Sequence, residues 1–205
     1  LAKEILHNEK IKKQFYLRDA VTVAKELLGK IFVYNSPEGL MAARIVETEA
    51  YIGEADEAAH SYKGISERNK VMFKEGGLLY VYFIYGVHFC CNVVTGAEGK
   101  GDACLLRAME PVAGINMLAL NRYGKEKMTE REKINLLNGP GKICRAFNID
   151  KRLNGIDLTG NTLYILDADK INKNEISAGK RVGISKSKDL LWRYYIKNSK
   201  YISKK

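Results

Sequence analysis

The 205-residue chain is predicted to fold as a mixed α+β protein, a single domain spanning residues 1–205, and three observations carry that prediction. Its length and 46% hydrophobic content suffice for one large core. Helix-like and strand-like stretches interleave, with neither an internal repeat nor a linker to divide them. Two apolar stretches, each broken by a short turn, read as antiparallel strand pairs.

Residues 1–14 are polar and charged and form an arm or first helix. Asp19 is placed to cap a helix over 20–28, whose Val23, Leu27 and Leu28 make an apolar stripe ending at Gly29. A strand over 30–34, a turn over 35–39 and a returning strand over 40–51 follow. In that second strand, alternation sends Ile45, Glu47, Glu49 and Tyr51 to one face and Val46, Thr48 and Ala50 to the other. Residues 53–73 read as a structured loop with a short helical turn over 57–60. Residues 78–94 are too long for one strand and contain one flexible residue, so they form a hairpin turning at Tyr85-Gly86. Tyr80 and Tyr82 then share a face, and Tyr85 stands at the tip.

A strand over 103–108 carries Arg107 as its only charge, and Pro111 marks the turn into a helix over 112–120. Residues 121–131 are a basic exposed segment, Thr129 caps a helix ending near Leu137, and Gly139-Pro140-Gly141-Lys142 opens another over 143–147. The remainder reads as loop to Gly160, strand over 163–166, a polar excursion to Gly179, a basic strand edge over 180–184, and a tail of aromatics and lysines from Trp192.

Thirty-four Lys and Arg against 24 acids give a formal charge of +10, which favours a polyanionic partner. No stretch reaches the roughly 18–20 apolar residues of a membrane span. The opening residues lack a signal-peptide core, so a cytoplasmic location is expected. Cys90, Cys91, Cys104 and Cys144 show no ligand spacing and read as reduced, buried thiols.

Within so basic a chain, residues 44–60 hold five carboxylates. Glu47 and Glu49 are either solvated strand residues or, beside Tyr51, a general base that holds a water. With Asp56 and Glu57 they could instead offer oxygen ligands to a metal, although no known site spacing supports this. Tyr51, Tyr80 and Tyr82 are either a core stripe or a slot for a planar ring. Tyr85 has little to pack on and is shaped as a wedge for a duplex. His60 either caps its loop or faces a ligand. Asn92 is costly in an apolar strand unless its amide is bonded, and Arg107 either pairs with a core acid or faces phosphate. A basic surface, a projecting ring, an aromatic slot and one base are what acting on an extruded nucleobase requires. A non-catalytic binder of distorted DNA would keep the wedge without needing the carboxylate.

Glu47-Thr48-Glu49-Ala50-Tyr51, Asp56-Glu57-Ala58-Ala59-His60-Ser61, Arg68-Asn69 with Met72-Phe73, Leu79-Tyr80-Val81-Tyr82 through Tyr85-Gly86 to Asn92, Leu106-Arg107-Ala108 with Glu110-Pro111, Gly139-Pro140 and Arg181-Val182-Gly183 together resemble the alkyladenine, or 3-methyladenine, DNA glycosylase family. The resemblance implies a curved antiparallel sheet with a protruding DNA-intercalating β-hairpin, no metal and no cofactor. It implies a monofunctional, monomeric enzyme that binds double-stranded DNA, flips out alkylated or deaminated purines and hydrolyses the N-glycosidic bond. Glu49 would be the catalytic base. Tyr51, His60, Tyr82, Asn92 and Val182 would bind the base, and Tyr85, Arg107, Lys142 and Arg181 would bind DNA.

Overall fold

The computed structural model describes residues 7–168 and 170–204. Of the predicted arm, residues 1–6 lie outside the described part. Lys10 bridges to Leu166 at a sheet edge, and the helix α1 (Lys13–Tyr16) follows. Helix α2 (Ala20–Glu26) starts where Asp19 accepts a hydrogen bond from the Thr22 amide at 2.9 Å. It stops before Gly29, which takes φ 87°, a conformation that glycine adopts without strain.

Strands β1 (Ile31–Ser36) and β2 (Gly39–Tyr51) pair antiparallel, as expected. β3 (Leu79–Ile84) and β4 (His88–Thr95) form the predicted hairpin, with β5 (Asp102–Ala113) beside β4. β6 (Leu163–Leu166) completes the antiparallel order β3-β4-β5-β2-β1-β6. A second pair, β7 (Ile176–Gly179) and β8 (Arg193–Ile196), joins through β8 to residues 47–49 of β2. β2 therefore trades β1 for β8 along one edge while β5 covers the other, and the sheet curls around it.

Helices α3 (Ile115–Tyr123) and α5 (Pro140–Ala146) cover the main core with α2, while α4 (Glu130–Asn135) has no buried residue and leads into the core residues Leu136 and Leu137. Thr129 opens α4 with a reciprocal capping box through Glu132. Phe32 meets Phe147 edge-on at 5.3 Å in the main core, and the Thr48 hydroxyl donates to the Ala24 carbonyl, tying α2 to β2. All four cysteines are free and buried, as expected. Among the described residues no helix is long and apolar enough to cross a membrane.

Three expectations need correction. Pro111 lies inside β5 and the helix begins only at Ile115. β4 pairs with β5 only from Asp102 to Leu105, so near Pro111 the ladder runs on one side and a missing N–H is tolerated. Residues 180–184 are a loop, and the strands lie on either side of it at β7 and β8. The face assignment of β2 also changes. Met41, Ala43 and Ile45 point into the main core, but so do Thr48 and Ala50, because bulges around Glu47 reverse the alternation. Val46 on β2 and Arg107 on β5 have no ladder partner there, so Glu47, Glu49, Tyr51 and Arg107 share the opposite face.

Candidate active site

On that opposite face lies a cavity of about 470 Å³. This is within the ~300–1,000 Å³ usual for small-molecule sites. Tyr51 comes from the end of β2, Tyr80 and Tyr82 from β3, Asn92 from β4 and Arg107 from β5. His60 reaches in from the loop after β2, and Val182 from the loop before β8.

The aromatic wall is built by the hairpin. Tyr80 and Tyr82, two apart on β3, stack at 5.4 Å between centroids, and His60 stands edge-on to Tyr82 at 4.5 Å. His60 Nδ1 lies 3.2 Å from the Tyr80 hydroxyl. Burial against these rings, with Arg68 adding repulsion, lowers the His60 pKa and keeps the imidazole neutral near pH 7. Buried Asn69 fixes the His60 loop: its amide donates to the carbonyls of His60 (2.8 Å) and Gly64 (3.0 Å), and its oxygen accepts from the Ser66 amide. Arg68 lies over the Tyr82 ring. Asn92 is 5% exposed and spends its amide on one long bond, 3.3 Å to the Tyr80 carbonyl, where a cavity ligand can compete for it.

Glu49 sits one layer behind this wall. It is fully buried, and its hydrogen-bond partners form the wall itself. Oε1 accepts from the Val182 amide at 2.7 Å. Oε2 accepts from the Tyr51 hydroxyl at 2.8 Å and from Arg107 Nη1 at 3.3 Å. A carboxylate offers about four acceptor sites. Three are taken by these bonds. Desolvation raises the Glu49 pKa, Glu47 adds to the rise, and Arg107, the Val182 amide and Tyr51 oppose it. The group is thus more basic than an ordinary carboxylate and still held by a cation. Burial and the Glu49 charge push the Tyr51 phenol upward, so it stays a donor.

Tyr85 projects from the hairpin tip at the cavity mouth, 81% exposed, beside Gly86. Both take positive φ, 54° and 66°, as the central residues of a turn that the Val87 amide closes on the Ile84 carbonyl at 3.3 Å, within a three-residue loop between the paired Ile84 and His88. Phe83 and Val87, 49% and 68% exposed, flank it. Pro140 and Gly141 form part of the lip, but Lys142 itself does not line the cavity. Its ammonium donates to Asn138 Oδ1 at 2.6 Å.

Two arginines expected at DNA are occupied elsewhere. Arg107 is 7% exposed at the cavity wall between Glu47 and Glu49. The Arg181 side chain has no exposed surface and cannot reach a phosphate as it stands. It is bidentate on Asp56, donates to the Ala50 carbonyl at 2.9 Å, and lies over the faces of Tyr51 and Trp192. It fastens the 180–186 loop, and with it Val182, to the site. The four acids considered as metal ligands all face cations: Glu47 and Glu49 face Arg107, Asp56 faces Arg181, and Glu57 faces Lys186 at 3.6 Å. Sequence reading missed Arg193, which meets Glu47 at 3.2 Å, and Ser203. Alternation of Arg193 with Trp192 and Tyr194 was the available signal for the first.

A buried carboxylate bonded to the walls of an aromatic-lined slot, beneath a projecting ring, fits an enzyme acting on a planar base. The chain belongs to the methylpurine-DNA glycosylase family, whose model matches residues 14–200, and it is therefore a DNA glycosylase, a hydrolase acting on N-glycosyl bonds. It is 47% identical over 205 residues to a protein of Clostridium novyi (strain NT), covering 96% of this chain and 100% of the relative. It is 45% identical over 203 residues to one of Desulfitobacterium hafniense (strain Y51), covering 96% and 100%. A third relative, from Carboxydothermus hydrogenoformans, is 48% identical over 194 residues, covering 94% and 98%. All three carry the name "Putative 3-methyladenine DNA glycosylase".

Proposed function

We propose that this glycosylase excises methylated purines, 3-methyladenine first among them, from duplex DNA by extruding the damaged nucleotide into the tyrosine-lined cavity. The observation that carries the reading is the placement of Glu49, whose own hydrogen-bond partners, Tyr51, Arg107 and Val182, form the cavity wall. Tyr85 enters the minor groove and fills the gap, and the +10 charge draws the protein to the phosphates. The flipped base stacks between Tyr51 on one side and Tyr82 with His60 on the other.

A water held by Glu49 then attacks the sugar carbon C1′. Its oxygen forms the new C–O bond, the glycosidic electron pair leaves with the purine, and the water's proton passes to Glu49. Methylation at N3 leaves the base cationic, so it departs as a neutral molecule without a separate acid. A neutral lesion such as hypoxanthine needs a proton as well, supplied through water or taken at its own N7. Asn92 disfavours guanine, whose exocyclic amino group would meet the donor side of its amide. Ranking 3-methyladenine above 7-methylguanine and hypoxanthine follows from these points. The relatives' names give 3-methyladenine as their base.

The test is a product survey on matched duplexes, each carrying one lesion, with free base measured directly. Release of 3-methyladenine with an intact abasic strand is expected, and single strands should react more slowly. Equal turnover of single strands or free nucleosides would overturn the reading.

A further inference from the structure

Glu47 is fully buried two residues before Glu49, yet it does not line the cavity. Its oxygens are all engaged. Oε1 faces Arg193 Nε at 3.2 Å and Arg107 Nε at 3.4 Å and accepts from the Ser203 hydroxyl at 2.9 Å. Oε2 accepts from the Ser203 amide at 2.5 Å. The Ser203 hydroxyl in turn accepts from Arg107 Nε (3.4 Å) and Nη2 (3.2 Å), so its one donor and both its lone pairs are used. Arg193 also donates to the Lys204 carbonyl at 2.7 Å, which fastens the 203–204 segment over the cluster.

Arg107 is thereby gripped on one side of its fork, at Nε and Nη2, and only Nη1 is left to reach Glu49. The paired bulges of β2 and β5 create this arrangement, because they leave Arg107 outside the ladder between the two acids. Two carboxylates and two guanidinium groups balance in charge, as a buried cluster must. An arginine side chain loses rotamer freedom when it is fixed. Here that cost is met by Glu47, Arg193 and Ser203 rather than by the reacting groups.

We propose that Glu47, Arg193 and Ser203 are positioning residues for the glycosylase reaction, holding Arg107 so that a single N–H is aimed at the Glu49 carboxylate. The proposal rests on Glu49 being the base that holds the attacking water. The groups that face Glu49 are Arg107, Tyr51, Glu47 and the Val182 amide, with Arg181 and Tyr82 beyond Tyr51. Of these, Arg107 contributes most against desolvation. Slackening it makes Glu49 harder to ionise.

Ser203→Ala removes the bridging hydroxyl and changes no charge. In single-turnover release of 3-methyladenine from a duplex, it should slow the maximal rate about tenfold, worth ~1.4 kcal/mol. It should also move the acid limb of the pH–rate profile upward by roughly half a unit to one unit, while duplex affinity stays within twofold. Ser203→Thr, which restores a hydroxyl, should recover both rate and profile. Should Ser203→Ala fail to fold, Ser203→Gly removes the same hydroxyl and is read in its place. An unchanged rate, or a slower rate with an unmoved acid limb, overturns the proposal. Glu49→Gln in the same series separates the two claims: if that variant keeps activity, the role of Glu49 falls, whereas an inert Glu49→Gln beside an unaffected Ser203→Ala removes only the positioning role.

Discussion

Replacing Tyr85 by glycine should strengthen the fold while weakening the capture of a flipped base. Tyr85 holds φ 54° at the hairpin tip with 81% of its surface exposed, so its ring contributes little packing to the free protein. An L-residue in that conformation costs roughly 1–2 kcal/mol. Glycine avoids the cost but gives up roughly 0.5–1 kcal/mol more chain entropy on folding. The difference leaves Tyr85→Gly neutral to about 1.5 kcal/mol more stable. On DNA the balance reverses, because an aromatic ring stacked in a helix is worth about 1–3 kcal/mol, a ~5- to 150-fold loss of the flipped state. A urea midpoint reads the first quantity, and 2-aminopurine fluorescence beside the lesion reads the second. Tyr34→Ala on β1, outside the cavity lining, is the control that should flip normally. A clear fall in the urea midpoint together with unchanged flipping would refute the reasoning about both strain and wedge.

The buried pair that locks the 180–186 loop gives a second expectation. Asp56→Asn leaves Arg181 without its charge partner in a site with no exposed side-chain surface, and breaking such a pair costs about 3–5 kcal/mol. A thermal melt should show a drop of several degrees, and an unchanged melt would mean the pair is dispensable. The raised pKa of Glu49 sets a pH dependence of stability. Its folded value lies above the unfolded one, so protonation favours the fold, and this contribution is lost as pH rises through the folded value. Glu49→Gln should therefore be at least as stable as the parent at pH 8, with the difference shrinking toward pH 5. A urea midpoint lower than the parent's at pH 8 would contradict that sign.

Much of this site was legible before the fold was known, because its residues break local rules. A tyrosine beside glycine at a turn, an amide in an apolar strand and acids in a basic chain each conflict with bland packing. Each of them reaches the cavity or the layer directly behind it. The β1–β2 and β3–β4 pairs were equally readable, since their turns and alternation agree. What failed was long-range. The bulges that reverse β2 depend on β5, more than fifty residues away, and no local pattern announces them. β8 was hidden because Arg193 reads as a surface charge until Glu47 is placed opposite it. Arg181 misled for the same reason. A guanidinium looks like a phosphate ligand from sequence, and only the burial of Asp56 shows that its partner lies within the protein.

The most direct measurement is single-turnover release of 3-methyladenine from a duplex by the parent and by Glu49→Gln, with binding of each to the same lesion followed in parallel. Loss of release by several orders of magnitude, with binding and flipping retained, is the predicted result. Comparable release by the variant would mean that the water is held elsewhere in the cavity.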